Sequence, residues 1–295
     1  AYQMTPPLPD AGSFRDPGGR VFVAEQSVYR TIMPSAAADY RTVSETGVYK
    51  DLAEKGWILP FRQTTDVTLG PEAGEYEIII ESDRLAALSY PYEWSFAALK
   101  AAALLHLDVH LYALEKGVTL SDASAYNVQF IGPVPVFIDH LSFKPYREGQ
   151  YWSGHRQFCD QFLNPLLLRA KRGVPHNNWY RGALEGIPGT ELSRILPWTK
   201  ILSPRLLAHV VLPARFERLA ISTDATSVSR SIKNIPFKRE AFLRLLKNLR
   251  TWISGLNLPR REQTVWSRYT ETVGYSSREE DAKQSFVMDF AAETA

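Results

Sequence analysis

A single cysteine, Cys159, in a chain of 295 residues rules out an intrachain disulfide and any zinc site built from several cysteines. Its setting, FCDQF on an expected helix, reads as a small buried hydrophobe rather than a reactive thiolate. Long apolar runs are also missing: none approaches the roughly 18 uninterrupted residues that a membrane-spanning helix needs. The opening segment, AYQMTPPLPDAGSFRDPGG, has neither the basic start nor the apolar stretch of an export signal, so a cytoplasmic location is the expectation. No zinc-finger spacing, RNP-like motif or basic–aromatic repeat favours nucleic acid, and no internal repeat is present.

The composition, 45% apolar and 12% aromatic, suffices for one large core or two lobes sharing a cleft. A net charge of only +2 hides an uneven distribution. Residues 1–140 carry 10 basic and 18 acidic side chains, whereas residues 141–262 carry 21 and 8. The cationic stretch reads as a solvated basic face or as a surface for an anionic ligand or acidic neighbour.

After a Pro/Gly-rich leader over residues 1–13, the DPGG turn introduces two short strands within residues 20–32. Residues 38–55 read as a helix with Gly56 as its stop, and residues 76–81 and 85–90 as further strands. These form a small α+β lobe over residues 14–90. From residue 95 to 116, Phe96, Leu99, Ala103, Leu107, Leu111 and Leu114 recur at helical steps, and Gly117 closes the helix. The intervening SYPYEW is an extended, proline-stiffened hinge. Residues 152–171 predict a helix disturbed at Pro165, residues 239–256 an amphipathic helix, residues 279–293 a last one, and residues 174–237 broken helices. Residues 91–295 therefore read as a mostly helical second lobe.

The chemistry concentrates in LSDASAYNVQFIGPVPVFIDHLSF, residues 120–143. Asp122 lies in a loop, Asn127 begins a strand five residues later, and Asp139 ends the next strand after a Gly-Pro turn. Kinase-like phosphotransferases use this layout: one carboxylate orients or deprotonates the attacking hydroxyl, while an amide oxygen and a second carboxylate hold Mg²⁺ against nucleotide phosphates. Asp122 is then the catalytic candidate, and Asn127 and Asp139 are the metal candidates. In the same layout backbone groups at the hinge, around Tyr90 and Tyr92, receive the base of ATP or another nucleotide.

Two parts of that machinery are missing. There is no GxGxxG loop, and no Val-Ala-Ile-Lys-like strand supplies a phosphate-binding lysine. Arg30, in VYRTI, is the nearest small-lobe cation, and Glu45 on the following helix is its candidate ion-pair partner. Each reads equally well as an exposed charge. His106 and His110 are spaced for metal ligation, but with no third ligand or HExxH motif they read as polar residues flanking a core helix. His140 is expected to point away from Asp139. His155, Arg156, Asp160 and Asn164 share a helix face that reads as solvated or salt-bridged.

The segments SYPYEWSFAALKAAALLHLDVHLYAL, LSDASAYNVQF, PVFIDHLSF, RQFCDQFLNPLLL and EGIPGTELSRILPW resemble the N-terminal region of bacterial class I SAM-dependent methyltransferases of the nodulation-protein NoeA type. The resemblance runs from about Phe14 to the end. It implies an attached C-terminal methyltransferase domain, although no Gly-x-Gly turn with an acidic ribose partner provides a SAM site in these residues. The hairpin is also similar to that of aminoglycoside phosphotransferases and other small-molecule kinases, with Leu120-Ser121-Asp122 in place of their HGD-type loop. The expectation is thus a two-lobed, protein-kinase-like α+β fold. Its expected function is phosphoryl transfer from a magnesium-nucleotide to a hydroxyl of a small molecule or sugar. The alternative is a catalytically silent accessory domain, and a pure interaction domain with an acidic partner is a third reading.

Overall fold

Alternation in VFV and SVYRTI, separated by a polar turn, produces the antiparallel pair β2 (Val21–Val23) and β3 (Ser27–Ile32). The computed structural model describes residues 6–196, 203–206, 209, 238–259 and 274–294. β1 (Leu8–Pro9), β2, β3, β4 (Phe61–Gln63) and β5 (Ile78–Asp83) form one antiparallel sheet in the order β1-β2-β3-β5-β4. The supposed leader therefore joins the sheet, with Leu8 opposite Val23 and Pro9 opposite Phe22. Proline is tolerated there because β1 is an edge strand.

The sheet has two distinct faces. Phe22, Tyr29 and Ile79 pack with Ala73 into a small cluster. Val21, Val23, Val28, Arg30, Ile80 and Ser82 face the other way and roof a cleft. Register enforces this, since Val21 pairs with Arg30, Val23 with Val28, Arg30 with Ile80 and Val28 with Ser82.

The single helix expected over residues 38–55 is two, α1 (Pro34–Glu45) and α2 (Val48–Glu54). Gly47 sits between them at φ +73°, a left-handed conformation that favours glycine and breaks the helix. The strand expected over residues 76–81 starts two residues later, as β5. Residues 85–90 form no strand, for β5 already has β3 and β4 on its two edges.

Ser95 caps α3 (Phe96–Glu115), its hydroxyl accepting from the Ala98 N–H. α3 is long and apolar enough to cross a membrane by composition, but 61% of its most apolar window is buried in the protein, as befits a core helix. α3 leads through β6 (Val118–Leu120) to the hairpin β7 (Val128–Ile131) and β8 (Val134–Phe137), and β9 (Phe143–Pro145) returns to pair with β6. Gly132, at φ +58°, turns the hairpin.

The expected helix over residues 152–171 is α4 (His155–Phe158), a π-turn (Cys159–Leu163) and α5 (Asn164–Arg172). Pro165 lacks an N–H, so the helix ladder cannot run regularly through it. The disturbed carbonyls find other donors: Ile187 N–H bonds Asp160 O at 2.8 Å, and Tyr180 O–H bonds Gln161 O at 2.6 Å. Of the broken helices expected over residues 174–237, α6 (His176–Gly182) and α7 (Gly189–Ile195) are present. Most of the remainder lies outside the described residues. α8 (Arg239–Ser254) buries Phe242, Leu246, Leu249 and Ile253, and Arg250 pairs with Asp108 of α3.

One continuous core runs from Ile32 to Leu256 and joins the two expected lobes. The chain divides into compact units at residues 1–258 and 259–295. The second contains α9 (Ser277–Thr294), whose Phe286, Val287, Met288 and Phe290 are exposed.

Candidate functional site

β8 is tied to the sheet-bearing region before it reaches the site. Phe137 N–H bonds Trp57 O and Leu59 N–H bonds Phe137 O, each at 2.9 Å. His140 is buried with Nε2 2.9 Å from Leu59 O, and its own carbonyl accepts from Tyr49 O–H at 2.8 Å. Burial drives the His140 pKa down to about 4, so the ring is neutral. With His140 turned inward, Asp139 points elsewhere, to Arg30. Asp139 lies just beyond the strand rather than on it and caps a 3₁₀ turn, accepting from Leu141 N–H.

Arg30 forms an ion pair with Asp139 and lies 3.7 Å from Asp16. Burial opposes its charge, but the charge and hydrogen bond of Asp139, with Asp16 behind, more than offset this and raise its pKa. Glu45 is not its partner: it is exposed at the C-terminal end of α1. Asp16 takes that place, and the DPGG turn is its sequence signal. Gly18 N–H bonds Asp16 Oδ1, and a Cβ on Gly19 would lie 2.4 Å from Thr31 O. Glycine thus lets the turn press against β3.

Asn127 ends a short 3₁₀ turn at the foot of β7, and its Nδ2 lies 3.4 Å from Asp139 Oδ2. The Asn127 amide nitrogen thus faces Asp139, whose other oxygen is taken by Arg30 and Leu141 N–H; turning the amide over would set its oxygen beside the carboxylate, a hard oxygen pair of the kind that suits Mg²⁺. Asp122 lies on the neighbouring loop. Ser121 N–H bonds Ser142 O at 2.8 Å, which holds the Asp122 loop against the turn that follows Asp139. Ser124 N–H donates to Asp122 Oδ1 at 2.9 Å.

A second set of supports for this loop escaped the sequence analysis. Gln157 Oε1 accepts from Ala123 N–H, and buried Gln161 Oε1 accepts from Ser124 O–H and Ala125 N–H. Gly154 permits the contact, since a Cβ there would lie 2.8 Å from Ala123 Cβ. His106 and His110 are fully buried rather than flanking the core. Burial lowers the His106 pKa to about 4, partly opposed by the Asp122 backbone, and pushes His110 well down. Neutral His110 accepts from Leu120 N–H at 3.2 Å and lies 2.9 Å from Thr119 Oγ1. A histidine from α3 thus braces the strand that delivers Asp122. Asn164, expected on a solvated face, is buried and donates to Asp160 Oδ1 and Ile187 O, because the segment at buried Ile187 covers that face.

Beneath the sheet lies a cleft of about 610 Å³, whose walls include Val21, Val23, Ile80, Leu59 and Ile138. One side of it is the segment from Asp83 to Leu88, which precedes the expected hinge, and neither Tyr90 nor Tyr92 lines the cleft. Gln129 pins that segment by exchanging two hydrogen bonds with the Ser89 backbone, at 2.9 and 3.0 Å. Tyr90 and Tyr92 stack on each other at 5.4 Å, and Tyr90 lies 6.5 Å from Tyr126, the residue before Asn127. Arg30, Ile138 and His140 line the cleft, which places Asp139 at its edge.

No family model matches the chain. It is 40% identical over 284 residues to the nodulation protein NoeA of Rhizobium meliloti (strain 1021), covering 96% of this chain and 59% of that relative. This likeness supports the NoeA-type resemblance, and the chain spans about three-fifths of the length of the relative. Among solved structures, the crystal structure of WbdD overlaps 70% of this chain and 50% of its own, at 12% identity and a TM-score of 0.36. The mixed α+β architecture described above rests on the chain's own geometry and not on that overlap.

Proposed function

We propose that this chain is a kinase-like module of the kind attached to SAM-dependent methyltransferases. In this reading it binds a magnesium-nucleotide in the 610 Å³ cleft and transfers a phosphoryl group to a hydroxyl of a small molecule or sugar. The supporting observation is the meeting of Asn127, Asp139 and Arg30 at the edge of an apolar cleft of ordinary ligand-binding size. The base lies between the sheet residues Val21, Val23 and Ile80 above and Leu59 and Ile138 below, with the backbone of residues 85–88 as its polar edge. Asn127 and Asp139 would hold the magnesium ion, which when bound would neutralise charge at the phosphates. Arg30 exchanges its hold on Asp139 for the phosphate oxygens when nucleotide enters.

Asp122 orients the acceptor. Its Oδ1 is engaged by Ser124 N–H, and its Oδ2 accepts the proton of the acceptor hydroxyl. The acceptor oxygen forms a bond to the terminal phosphorus, the bridging P–O bond breaks, and the nucleoside diphosphate leaves. Asp122→Asn removes the base without removing volume. It is expected to lower turnover by at least about a hundredfold with nucleotide affinity kept. Unchanged turnover in a folded Asp122→Asn protein would refute the catalytic role.

One observation favours a silent binding domain that presents a ligand to an attached methyltransferase: Arg30 already occupies Asp139, and arginine stands where related machinery uses lysine. In that case nucleotide binds and Asp122→Asn changes nothing downstream.

A further inference from the structure

Outside the cleft, three side chains of types that can ligate metals meet beside the helix that supports the Asp122 loop. His155 opens α4, Cys159 follows one helical turn later at the start of the π-turn, and His209 arrives from a distant part of the chain. The His155 Nε2 atom lies 3.2 Å from His209 Nδ1 and 3.7 Å from Cys159 Sγ. All three donor atoms fall within 4.8 Å of one another.

These spacings can be compared with what an ion requires. At zinc–nitrogen and zinc–sulfur distances of about 2.0 and 2.3 Å, tetrahedral geometry separates two nitrogen ligands by about 3.3 Å and a nitrogen from a sulfur by about 3.5 Å. The separations of 3.2 and 3.7 Å therefore need only about 0.1–0.2 Å of movement to become ligand–ligand distances. The surroundings suit the same chemistry. Burial lowers the pKa of His155 to about 4 and also lowers that of His209, so both rings are neutral and offer lone pairs. Trp152 lies 5.7 Å from the His155 ring and Trp252 lies 6.0 Å from the His209 ring, giving the cluster aromatic walls. Burial raises the Cys159 thiol pKa, which makes it inert towards oxidants but not towards a cation that deprotonates it outright. The π-turn is a further sign, since such insertions occur frequently at functional sites.

We propose that His155, Cys159 and His209 bind one zinc ion, with water as the fourth ligand. On binding, the thiol proton passes to solvent and a sulfur–zinc bond forms. The ion ties α4 to His209. Through Gln157 and Gln161, which follow on the same helical run, it stiffens the support of the Asp122 loop. This site is separate from the magnesium position and does not depend on phosphoryl transfer.

Cobalt(II) titration of the full chain, freed of metal by chelator, tests the proposal. One equivalent is expected to give a thiolate-to-cobalt charge-transfer band with tetrahedral d–d bands, and equimolar zinc should displace both. Zinc is also expected to raise the melting temperature of the chain. Cys159→Ser should abolish the charge-transfer band, and His209→Gln should weaken binding by at least about tenfold. If Cys159→Ser does not fold by circular dichroism, His209→Gln, with its thiol intact, decides the matter. Absence of the charge-transfer band in the unaltered chain, or unchanged affinity in folded His209→Gln, overturns the assignment.

Discussion

Asp139→Asn isolates a single charge at the centre of the site. The amide keeps the shape of the carboxylate and its acceptor for Leu141 N–H, but it no longer balances Arg30. Removing one partner of a buried ion pair costs about 3–5 kcal/mol. Here the side chains are 20% and 16% exposed, and Asp16 remains 3.7 Å from Arg30, so about 2–3 kcal/mol is expected. For a unit of this size that corresponds to a melting temperature lower by about 4–12 °C. The same substitution should erase the stabilisation by magnesium-nucleotide, which at about 100 times its dissociation constant adds about 2.7 kcal/mol to the unaltered chain. Thermal melting of both proteins, with and without nucleotide and Mg²⁺, reads the two effects separately. A variant that melts with the parent refutes the structural ion pair. An undiminished nucleotide shift in the variant refutes Asp139 as a metal ligand.

Other perturbations have equally definite signs. Gln161→Leu leaves the buried Ser124 and Ala125 donors unpaired, at a cost of about 1–3 kcal/mol. Enzyme assays should show turnover falling while nucleotide affinity holds, because Gln161 supports the Asp122 loop and not the cleft. Gly186→Ala would place a Cβ 2.2 Å from Asp160 O at φ +90°, so chemical denaturation should register a loss of about 3 kcal/mol or more, whereas Gly182→Ala, with open space, should stay within about 1 kcal/mol. His106 and His140 have folded pKa values near 4, below their unfolded value of about 6.5. Their contribution is therefore intact above about pH 6.5 and is lost as pH falls towards 4, by roughly 3 kcal/mol for each. Denaturation midpoints across that range should fall less steeply in His106→Leu, and an unchanged slope would contradict the neutral, buried ring.

Several elements were legible because local and global signals agree. α3 is announced by Ser95, by apolar spacing and by Gly117, and the β7–β8 hairpin by alternation around Gly132. The juxtaposition of Asn127 and Asp139 follows from that hairpin. What was not legible depends on contacts distant in sequence. Leu8 and Pro9 are too few to show a period, and only the edge of β2 makes them a strand. Residues 85–90 have the apolar run of a strand, but β5, which they follow, is already paired on both edges. The Arg30 partner is decided by the DPGG turn and by Asp139 across the cleft, not by the adjacent helix bearing Glu45. α3 leaves a stripe through Lys100, Leu104, Asp108 and Leu111 part-exposed, and the core encloses the opposite side, where His106 and His110 lie.

Equilibrium titration of ATP into the unaltered chain, with and without Mg²⁺, tests the account most directly. One site with affinity that depends on Mg²⁺ is predicted, because Asn127 and Asp139 contribute only through the cation. Absence of binding at millimolar nucleotide, or equal affinity in the two conditions, would contradict the assignment of the cleft.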